Sequence, residues 1–269
     1  MKIAAVQMIS APEVAPNLKN AQDLIESAAA QGAQLVALPE YFPMIGAHDA
    51  DRLAAREQFG SGPIQDFLRE SAQRHGIWLI GGSLPLAADD ENKLRNSCIV
   101  FNPQGEVVAR YDKIHLFGFQ RGGERYDEAT TIQAGSMPIA FESPFGRIGL
   151  GICYDLRFPE LFRSLGQIDL LVLPSAFTET TGQAHWELLL RARAVENLCY
   201  VIAPAQGGRH PTGRLTHGNS MIIDPWGDVL ARMDKGTGVV IAELDPARLA
   251  EVRTMLPALD HRVLGLQNN

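Results

Sequence analysis

The sequence is poor in cysteine, with three in 269 residues, and it contains no long apolar run. Cys98, Cys153 and Cys199 are odd in number and far apart, which fits neither a disulfide framework nor a set of zinc ligands. This use of cysteine indicates a reducing compartment, most simply the cytoplasm. Apolar stretches such as Ile168–Pro174 are far shorter than the about 20 residues that span a bilayer, so we expect no membrane association.

Basic charge is also scarce, since 24 Lys and Arg residues stand against 31 Asp and Glu residues and give a formal net charge of −7. A negative surface has no electrostatic attraction to phosphate backbones, so we expect no nucleic-acid partner. The N-terminal MKIAAVQM alternates like a strand and lacks the apolar region and cleavage site of a signal peptide. We also find no low-complexity tract, fixed-period repeat or Pro-rich linker.

With 46% hydrophobic and 20% charged residues, the composition is that of a globular protein. Runs such as LLVLP and YVIAP are apolar throughout, which predicts strands buried on both faces. Other strands are joined by turns at Asn102–Gly105 and Asp224–Gly227, which predict hairpins. Both patterns in one chain favour mixed sheets covered by helices. We therefore predict an α/β protein with two packed sheets, folded as a single domain over residues 1–269.

Short β-rich runs alternate with amphipathic stretches along the whole chain. Strands are predicted at Ile3–Gln7, Leu35–Leu38, Trp78–Gly81, Ser97–Phe101, Val107–Tyr111, Arg147–Ile152, Asp169–Leu173, Tyr200–Ala203, Asn219–Ile223 and Gly238–Leu244. Helices are predicted at Ala15–Gln31, Pro63–His75, Arg157–Leu165 and Gln183–Leu198. A last helix is predicted to begin near Asp245, because Asp-Pro supplies an N-cap and then a proline for the first turn.

The segment Gly149–Leu161 (GLGICYDLRFPEL) places a cysteine at a sharp turn from a strand to a helix. The strand ends at Cys153, and Pro159 suits the first turn of the helix that follows. The positive end of a helix lowers a thiol pKa, and its backbone N–H groups can bind a developing oxyanion. Cys153 is therefore a candidate nucleophile, with a buried structural cysteine as the alternative.

Two further polar residues follow strands in apolar surroundings. Glu40 comes directly after the run Gln34–Pro39, and desolvation there would raise its carboxyl pKa towards the range of a general base. Lys113 follows the predicted strand Val107–Tyr111, where an ammonium could balance the charge of a tetrahedral intermediate. Taken singly, each is as well explained as a surface residue. Together with Cys153 they form a possible site, because ligands of α/β proteins usually bind at the carboxyl ends of strands.

Two other hypotheses stay open at this point. A papain-like hydrolase would pair Cys153 with His115 or His185, although no cysteine-protease signature surrounds either histidine. An idle scaffold would retain the fold without the chemistry, and the presence of Glu40, Lys113 and Cys153 together argues against it. Replacement of the histidines and labelling of the thiol distinguish these hypotheses.

Three sequence blocks carry a resemblance to a known family. They are Leu38–Glu40, Tyr111–Leu116 and Gly151–Leu161, in this order and at compatible spacing. With them the whole chain resembles the nitrilase (carbon–nitrogen hydrolase) superfamily. The resemblance implies a four-layer α-β-β-α sandwich of two mixed sheets and hydrolysis without a cofactor or metal. It also implies homodimers or larger assemblies, and we expect the helix Arg157–Leu165 to take part in the interface.

The resemblance also implies catalytic roles. Glu40 would be the general base, Cys153 the nucleophile that forms a thioester, and Lys113 the group that stabilises the intermediate. Glu128 stands at the position of a second glutamate, which would orient Lys113 or assist proton transfer. The backbone N–H of Tyr154 would bind the oxyanion together with Lys113.

Within the superfamily, the segments Pro174–Leu188 and Arg191–Asn197 resemble the Nit amidase branch. One enzyme type of this branch cleaves deaminated glutathione to 2-oxoglutarate and cysteinylglycine, and the other, omega-amidase, deamidates 2-oxoglutaramate and 2-oxosuccinamate. The run Gln206–His210 is closer to the first type, so deaminated glutathione is the expected substrate. Omega-amidase is the near alternative, and a hydrolase of N-carbamoyl amides or of aliphatic amides and nitriles is the distant one.

Both expected substrates are acidic 2-oxo acids, so the pocket needs a local cation in spite of the negative net charge. Arg157, Arg209 and Arg121 are the candidates, because an arginine fork matches a carboxylate better than a lysine does. Tyr154 and Phe177 complete the predicted substrate-binding residues.

Overall fold

The computed structural model of the chain describes residues 1–48 and 50–264, so the last five residues of the predicted domain lie outside the described residues. The strands are β1 (Lys2–Gln7), β2 (Leu35–Ala37), β3 (Trp78–Ile80), β4 (Leu84–Ala87), β5 (Leu94–Phe101), β6 (Val107–Asp112), β7 (Gly118–Arg121), β8 (Glu124–Asp127), β9 (Ala140–Ser143), β10 (Gly146–Leu150), β11 (Leu170–Val172), β12 (Tyr200–Ala203), β13 (Ser220–Ile223), β14 (Val229–Met233) and β15 (Gly238–Glu243). The helices are α1 (Val14–Ala30), α2 (Asp51–Ala54), α3 (Pro63–His75), α4 (Pro159–Ser164), α5 (Glu179–Asn197) and α6 (Pro246–Met255). Two 3₁₀ turns cover Glu128–Thr130 and Cys153–Arg157.

The strands form two large mixed sheets and one small hairpin. The first sheet has the order β15-β1-β2-β3-β5-β4, with β6 also paired to β5. The second has the order β14-β13-β12-β11-β10-β9, and β7 pairs with β8 alone. Strands β1, β2 and β3 run parallel, as do β10, β11 and β12, whereas the flanking strands are antiparallel. The parallel strands are apolar and buried, as their continuous apolar runs predicted.

The two large sheets pack face to face, and helices cover their outer faces. Ile3 and Ala5 of β1 share one apolar cluster with Ile148 and Leu150 of β10, so this cluster lies between the sheets. The opposite face of the first sheet packs against apolar residues of α1 and α3, and the second sheet packs against α4 and α5. The predicted four-layer α-β-β-α sandwich with two mixed sheets is confirmed.

Ten strands and five helices were predicted near their observed positions, and the differences have local causes. The edge strand β4 contains Pro85, which weakens a strand signal. Hairpin β7–β8 is largely exposed, so its residues lack an alternating apolar face. Helix α4 begins at Pro159 rather than Arg157, because Cys153–Arg157 forms a separate 3₁₀ turn. Helix α5 begins four residues earlier than predicted, where the Thr178 side chain accepts a hydrogen bond from the Thr181 N–H.

Candidate active site

Four chain segments meet between the two sheets and bring Glu40, Lys113, Glu128 and Cys153 together. Glu40 follows β2, Lys113 follows β6, Glu128 begins the 3₁₀ turn after β8, and Cys153 follows β10. The Lys113 ammonium lies 2.9 Å from Glu40 Oε1 and 3.0 and 2.8 Å from the two carboxylate oxygens of Glu128. The side chains of this ion cluster are almost completely buried. The cluster therefore places two carboxylates and one cation beside a thiol, out of contact with bulk water.

The backbone at Cys153 adopts a conformation that non-glycine residues rarely adopt, with φ = +49°. Two interactions hold the turn on either side of it. The Asp155 carboxylate accepts a hydrogen bond from the Ile152 N–H at 2.8 Å, and the Arg193 guanidinium donates two hydrogen bonds to the Leu156 carbonyl, at 3.0 and 2.7 Å. Such a strained residue persists only where its surroundings hold it, which is typical of functional sites.

The thiol pKa departs from its ordinary value in the direction opposite to the one predicted. Burial raises the pKa of Cys153 well above its ordinary value, and the charge of Glu40 raises it further, whereas Lys113 and the Ala176 N–H lower it. The prediction of a helix-lowered thiol pKa is therefore wrong, because four packed segments desolvate the sulfur and a carboxylate faces it. Cys153 therefore rests as a thiol, and a role as nucleophile would need a base.

The two glutamates of the cluster have pKa values displaced in opposite directions. Burial raises the pKa of Glu40, with Glu128 acting in the same direction and Lys113 against it. Burial would also raise the pKa of Glu128, but Lys113 and hydrogen bonds from the Phe117 N–H and the Tyr41 hydroxyl lower it below its ordinary value. The two carboxylates also raise the pKa of Lys113 against the effect of burial. Glu40 is thus the member that can take up a proton, while Glu128 stays ionised.

Two side chains that sequence reasoning missed contact these glutamates. The Tyr41 hydroxyl donates a hydrogen bond to Glu128 Oε1 at 2.6 Å, and the Asn96 amide donates one to Glu40 Oε1 at 2.9 Å. Tyr41 directly follows Glu40, so its place in the same motif is a sequence signal for it. Asn96 lies within β5 and gave no signal, because a single polar residue in a strand is typical of many structural positions.

The histidines proposed as alternative bases have other partners. His115 Nδ1 lies 2.7 Å from Asp155 Oδ1, and the imidazole stacks on Phe158 with ring centroids 3.7 Å apart. His185 Nδ1 lies 3.3 Å from the Arg157 guanidinium. The charged groups that act on the Cys153 thiol are Glu40, Lys113 and Glu128. The geometry therefore favours a carboxylate base over an imidazole base.

A small cavity opens at the thiol. It is lined by Phe117, Cys153, Tyr154, Arg157, Ala176, Phe177, Thr178 and Thr181. The Arg157 guanidinium lies 5.8 Å from the ring centroid of Tyr154 and 5.5 Å from that of Phe177. The free space is about 10 Å³, which is close to the volume that one water molecule needs.

The structure brings three of the five predicted substrate-binding residues to this cavity, namely Tyr154, Phe177 and Arg157. It does not bring Arg121 or Arg209 there. Arg121 lies exposed in β7, and the exposed Arg209 pairs through its backbone with Leu215. Both sit in hairpin-like segments that direct them towards solvent, so Arg157 is the cation of the predicted set that lines the cavity.

Residues 1–48 and 50–264 contain neither a membrane-spanning helix nor a cluster of metal ligands. None of the described helices is long and apolar enough to cross a membrane. The same residues contain no group of three or more His, Cys, Asp or Glu side chains arranged to hold a metal ion.

Residues 2–254 match the protein family described as Carbon-nitrogen hydrolase. A deaminated glutathione amidase from Synechocystis sp. is 44% identical over 266 residues, which cover 97% of this chain and 97% of that protein. The omega-amidase NIT2-A of Xenopus laevis is 38% identical over 270 residues, which cover 99% of this chain and 96% of that protein. The chain is thus similar to two kinds of amidase over nearly its whole length.

Two solved structures extend the likeness to the fold. Saccharomyces cerevisiae Nit3, described as a member of branch 10 of the nitrilase superfamily, superposes with a TM-score of 0.87 at 31% identity, covering 98% of this chain and 97% of that one. A mutant of the amidase from Nesterenkonia sp. AN1 superposes with a TM-score of 0.75 at 27% identity, covering 96% of this chain and 98% of that one. That structure shows acrylamide added at the active site cysteine.

Proposed function

The chain belongs to the carbon–nitrogen hydrolase family and is an enzyme that acts on amides, and on this premise we propose that it hydrolyses deaminated glutathione to 2-oxoglutarate and cysteinylglycine. The observation that carries the proposal is the buried cluster of Glu40, Lys113 and Glu128 beside the Cys153 thiol. We propose deaminated glutathione as the substrate for two reasons. The relative that is 44% identical is a deaminated glutathione amidase, and the run Gln206–His210 resembles that type of enzyme.

In the proposed acylation step, the Cys153 sulfur attacks the amide carbonyl carbon while Glu40 accepts the thiol proton. A carbon–sulfur bond forms, and the carbonyl oxygen becomes an oxyanion that the Lys113 ammonium and the Tyr154 backbone N–H stabilise. The carbon–nitrogen bond then breaks, and Glu40 gives its proton to the leaving amine. Cysteinylglycine departs and leaves the 2-oxoglutaryl group on sulfur as a thioester.

In the deacylation step, water attacks the thioester and Glu40 accepts its proton. The same two donors stabilise the second oxyanion, the carbon–sulfur bond breaks, and the proton returns to the sulfur as 2-oxoglutarate leaves. Glu128 takes no proton in this scheme. Its lowered pKa and its two contacts with Lys113 support a role in holding that ammonium in place.

Steady-state hydrolysis of deaminated glutathione beside 2-oxoglutaramate tests the substrate, with Cys153→Ala as the blank. We expect kcat/KM to favour deaminated glutathione by more than tenfold, which is about 1.4 kcal/mol of transition-state discrimination. The reverse preference would identify an omega-amidase, the alternative supported by the Xenopus relative. If neither compound reacts, both substrates are wrong, and N-carbamoyl amides and aliphatic amides or nitriles are tested next.

Arg157 is the proposed partner of the substrate carboxylate, because its guanidinium lines the cavity at the thiol. We expect Arg157→Met to raise KM for deaminated glutathione by about tenfold or more, since a charge-assisted hydrogen bond contributes about 1.5–3 kcal/mol. The value of kcat should change less. Arg69→Met on the outer helix α3 is the matched control and should leave both constants unchanged. An unchanged KM in Arg157→Met would contradict this assignment.

We further propose that the enzyme works in the cytoplasm as a homodimer. All three cysteines are free, and the reaction needs Cys153 as a thiol, which suits a reducing compartment. A groove of about 730 Å³ runs along α5, and the exposed apolar side chains Leu188 and Val195 line it beside the charged Glu187, Arg191 and Arg232. Trp226 and Leu230, in the β13–β14 hairpin, are further exposed apolar side chains. An exposed apolar face rimmed by charged residues is typical of a contact between subunits.

Leu188→Glu should convert the dimer to a monomer, because it places a charge in the middle of that apolar face. Light scattering over a dilution series measures the mass directly. Met137→Glu, at an exposed apolar residue before β9, is the control and should leave the mass unchanged. A dimer that survives Leu188→Glu does not use this face.

A further inference from the structure

Asn96 is a buried amide whose side chain contacts the proposed general base. Its Nδ2 donates a hydrogen bond to Glu40 Oε1 at 2.9 Å, the same oxygen that accepts from Lys113 Nζ at 2.9 Å. Its backbone carbonyl accepts a hydrogen bond from the Lys113 N–H, also at 2.9 Å. One residue of β5 therefore touches both partners of the Glu40–Lys113 ion pair.

The other end of the Asn96 amide has no such partner. Its Oδ1 is buried and has no hydrogen bond to any residue that the structure describes. Rotating the Asn96 amide by 180° about its Cβ–Cγ bond would place Oδ1 against Oε1 of the ionised Glu40. These two oxygens are both acceptors and cannot hydrogen-bond to each other. The contact with Glu40 therefore determines the orientation of the amide.

Both side-chain hydrogen bonds that Glu40 accepts from Asn96 and Lys113 go to Oε1. Glu40 and Cys153 lie close enough to act on each other's pKa, since the thiol lowers that of Glu40 and the carboxylate raises that of Cys153. We propose that Asn96 is a positioning residue that holds Glu40 through Oε1, so that the carboxylate keeps Oε2 for the proton of Cys153. The proposal rests on the role of Glu40 as the base in the proposed function.

The Asn96 contact also bears on the basicity of Glu40. The titratable and charged groups that act on this carboxylate are Lys113, Glu128, Cys153 and Tyr41. A donor to the ionised carboxylate favours the charged form, so its loss raises the pKa. The active form has Glu40 ionised, and the acid limb of the pH–rate profile should therefore move to higher pH when the donor is removed.

Two variants of Asn96 distinguish a role in positioning Glu40 from a role in packing alone. Asn96→Leu keeps the branched shape and removes the donor, and Asn96→Asp keeps the size and replaces the donor by a third carboxylate. Asn197→Ala is the matched control, because Asn197 is a buried asparagine of α5 that donates only to the Arg193 carbonyl among the described side-chain hydrogen bonds. Thermal unfolding of each variant reports on the fold. The pH dependence of kcat/KM for deaminated glutathione reports on the base.

We expect Asn96→Leu to lower kcat/KM by about tenfold and to move the acid limb up by about one pH unit. Asn96→Asp should move the limb further in the same direction, because a like charge faces Glu40. Asn197→Ala should lose stability but keep the wild-type limb. An unshifted limb in a folded Asn96→Leu or Asn96→Asp overturns the proposal. Failure of both to fold overturns it too, since Asn96 would then be required for packing.

A second readout does not depend on the substrate. ¹³C NMR titration of the glutamate carboxylates, with the Glu40 resonance identified by its loss in Glu40→Gln, measures the midpoint directly in the wild type and in both Asn96 variants. If the wild type does not hydrolyse deaminated glutathione, the proposed substrate fails, while the Glu40 midpoints still decide the role of Asn96. An acid limb retained in Glu40→Gln would instead refute the role of Glu40 itself.

Discussion

Glu40→Gln should lower kcat/KM by about 10²- to 10⁴-fold, the usual contribution of a general base, and leave the chain folded. The glutamine carbonyl can still accept the hydrogen bonds from Asn96 and Lys113 that Glu40 Oε1 accepts. It cannot accept a proton from Cys153, whose thiol pKa burial keeps raised. Steady-state kinetics with the substrate that the wild type hydrolyses best measures the loss, and thermal unfolding checks the fold.

Glu128→Gln is the matched control, since both glutamates contact Lys113 in the same buried cluster. The charge of Glu128 raises the pKa of Glu40, so its removal should lower that pKa and move the acid limb to lower pH. The residual rate should exceed that of Glu40→Gln. If Glu128→Gln proves the less active variant, and Glu40→Gln retains a pH-dependent rate, the two carboxylates have exchanged roles.

Both the sandwich fold and the site residues Glu40, Lys113 and Cys153 could be predicted from the sequence, because both depend on recognising the apolar strands. Apolar strands are recognisable from their composition, and Glu40, Lys113 and Cys153 each follow a strand directly or within three residues. Residues at strand ends converge wherever the strands belong to packed sheets, so their position along the chain carried the information. Glu128 came from the family resemblance alone, since it lies in a 3₁₀ turn after an exposed hairpin that sequence reasoning did not predict.

The contacts that set the protonation states could not be predicted in this way. The β5–β6 hairpin, which places Asn96 beside Lys113, is local and was predicted from its turn. Asn96 reaches Glu40 because β5 joins β2 in one sheet through β3, and this pairing is a long-range property of the sheet. The thiol pKa was predicted in the wrong direction, because the helix start is visible in the sequence whereas the desolvation of Cys153 by four segments is not. Propensity and motif describe neighbours along the chain, and these effects arise between distant segments.

Lys113→Met should both abolish turnover and destabilise the fold by about 3–5 kcal/mol at neutral pH, the usual cost of removing one partner from a buried ion pair. Methionine fills the space of the lysine stem but leaves Glu40 and Glu128 buried without a cation. Their mutual repulsion and desolvation then oppose folding. Unfolding by urea, monitored by circular dichroism, measures the change in the free energy of unfolding. A variant as stable as the wild type would mean that the carboxylates find other partners.

The triple variant Glu40→Gln, Lys113→Met, Glu128→Gln separates the loss of stability from the loss of activity. It removes both carboxylates together with the cation, so no uncompensated charge remains in the interior, and most of the lost stability should return. The substitutions are in contact, so their effects should be strongly non-additive. Activity should not return, because neither a base nor a cation remains beside Cys153. Recovery of stability without activity would mean that this fold does not need the buried ion cluster, which is then retained for the hydrolysis of an amide.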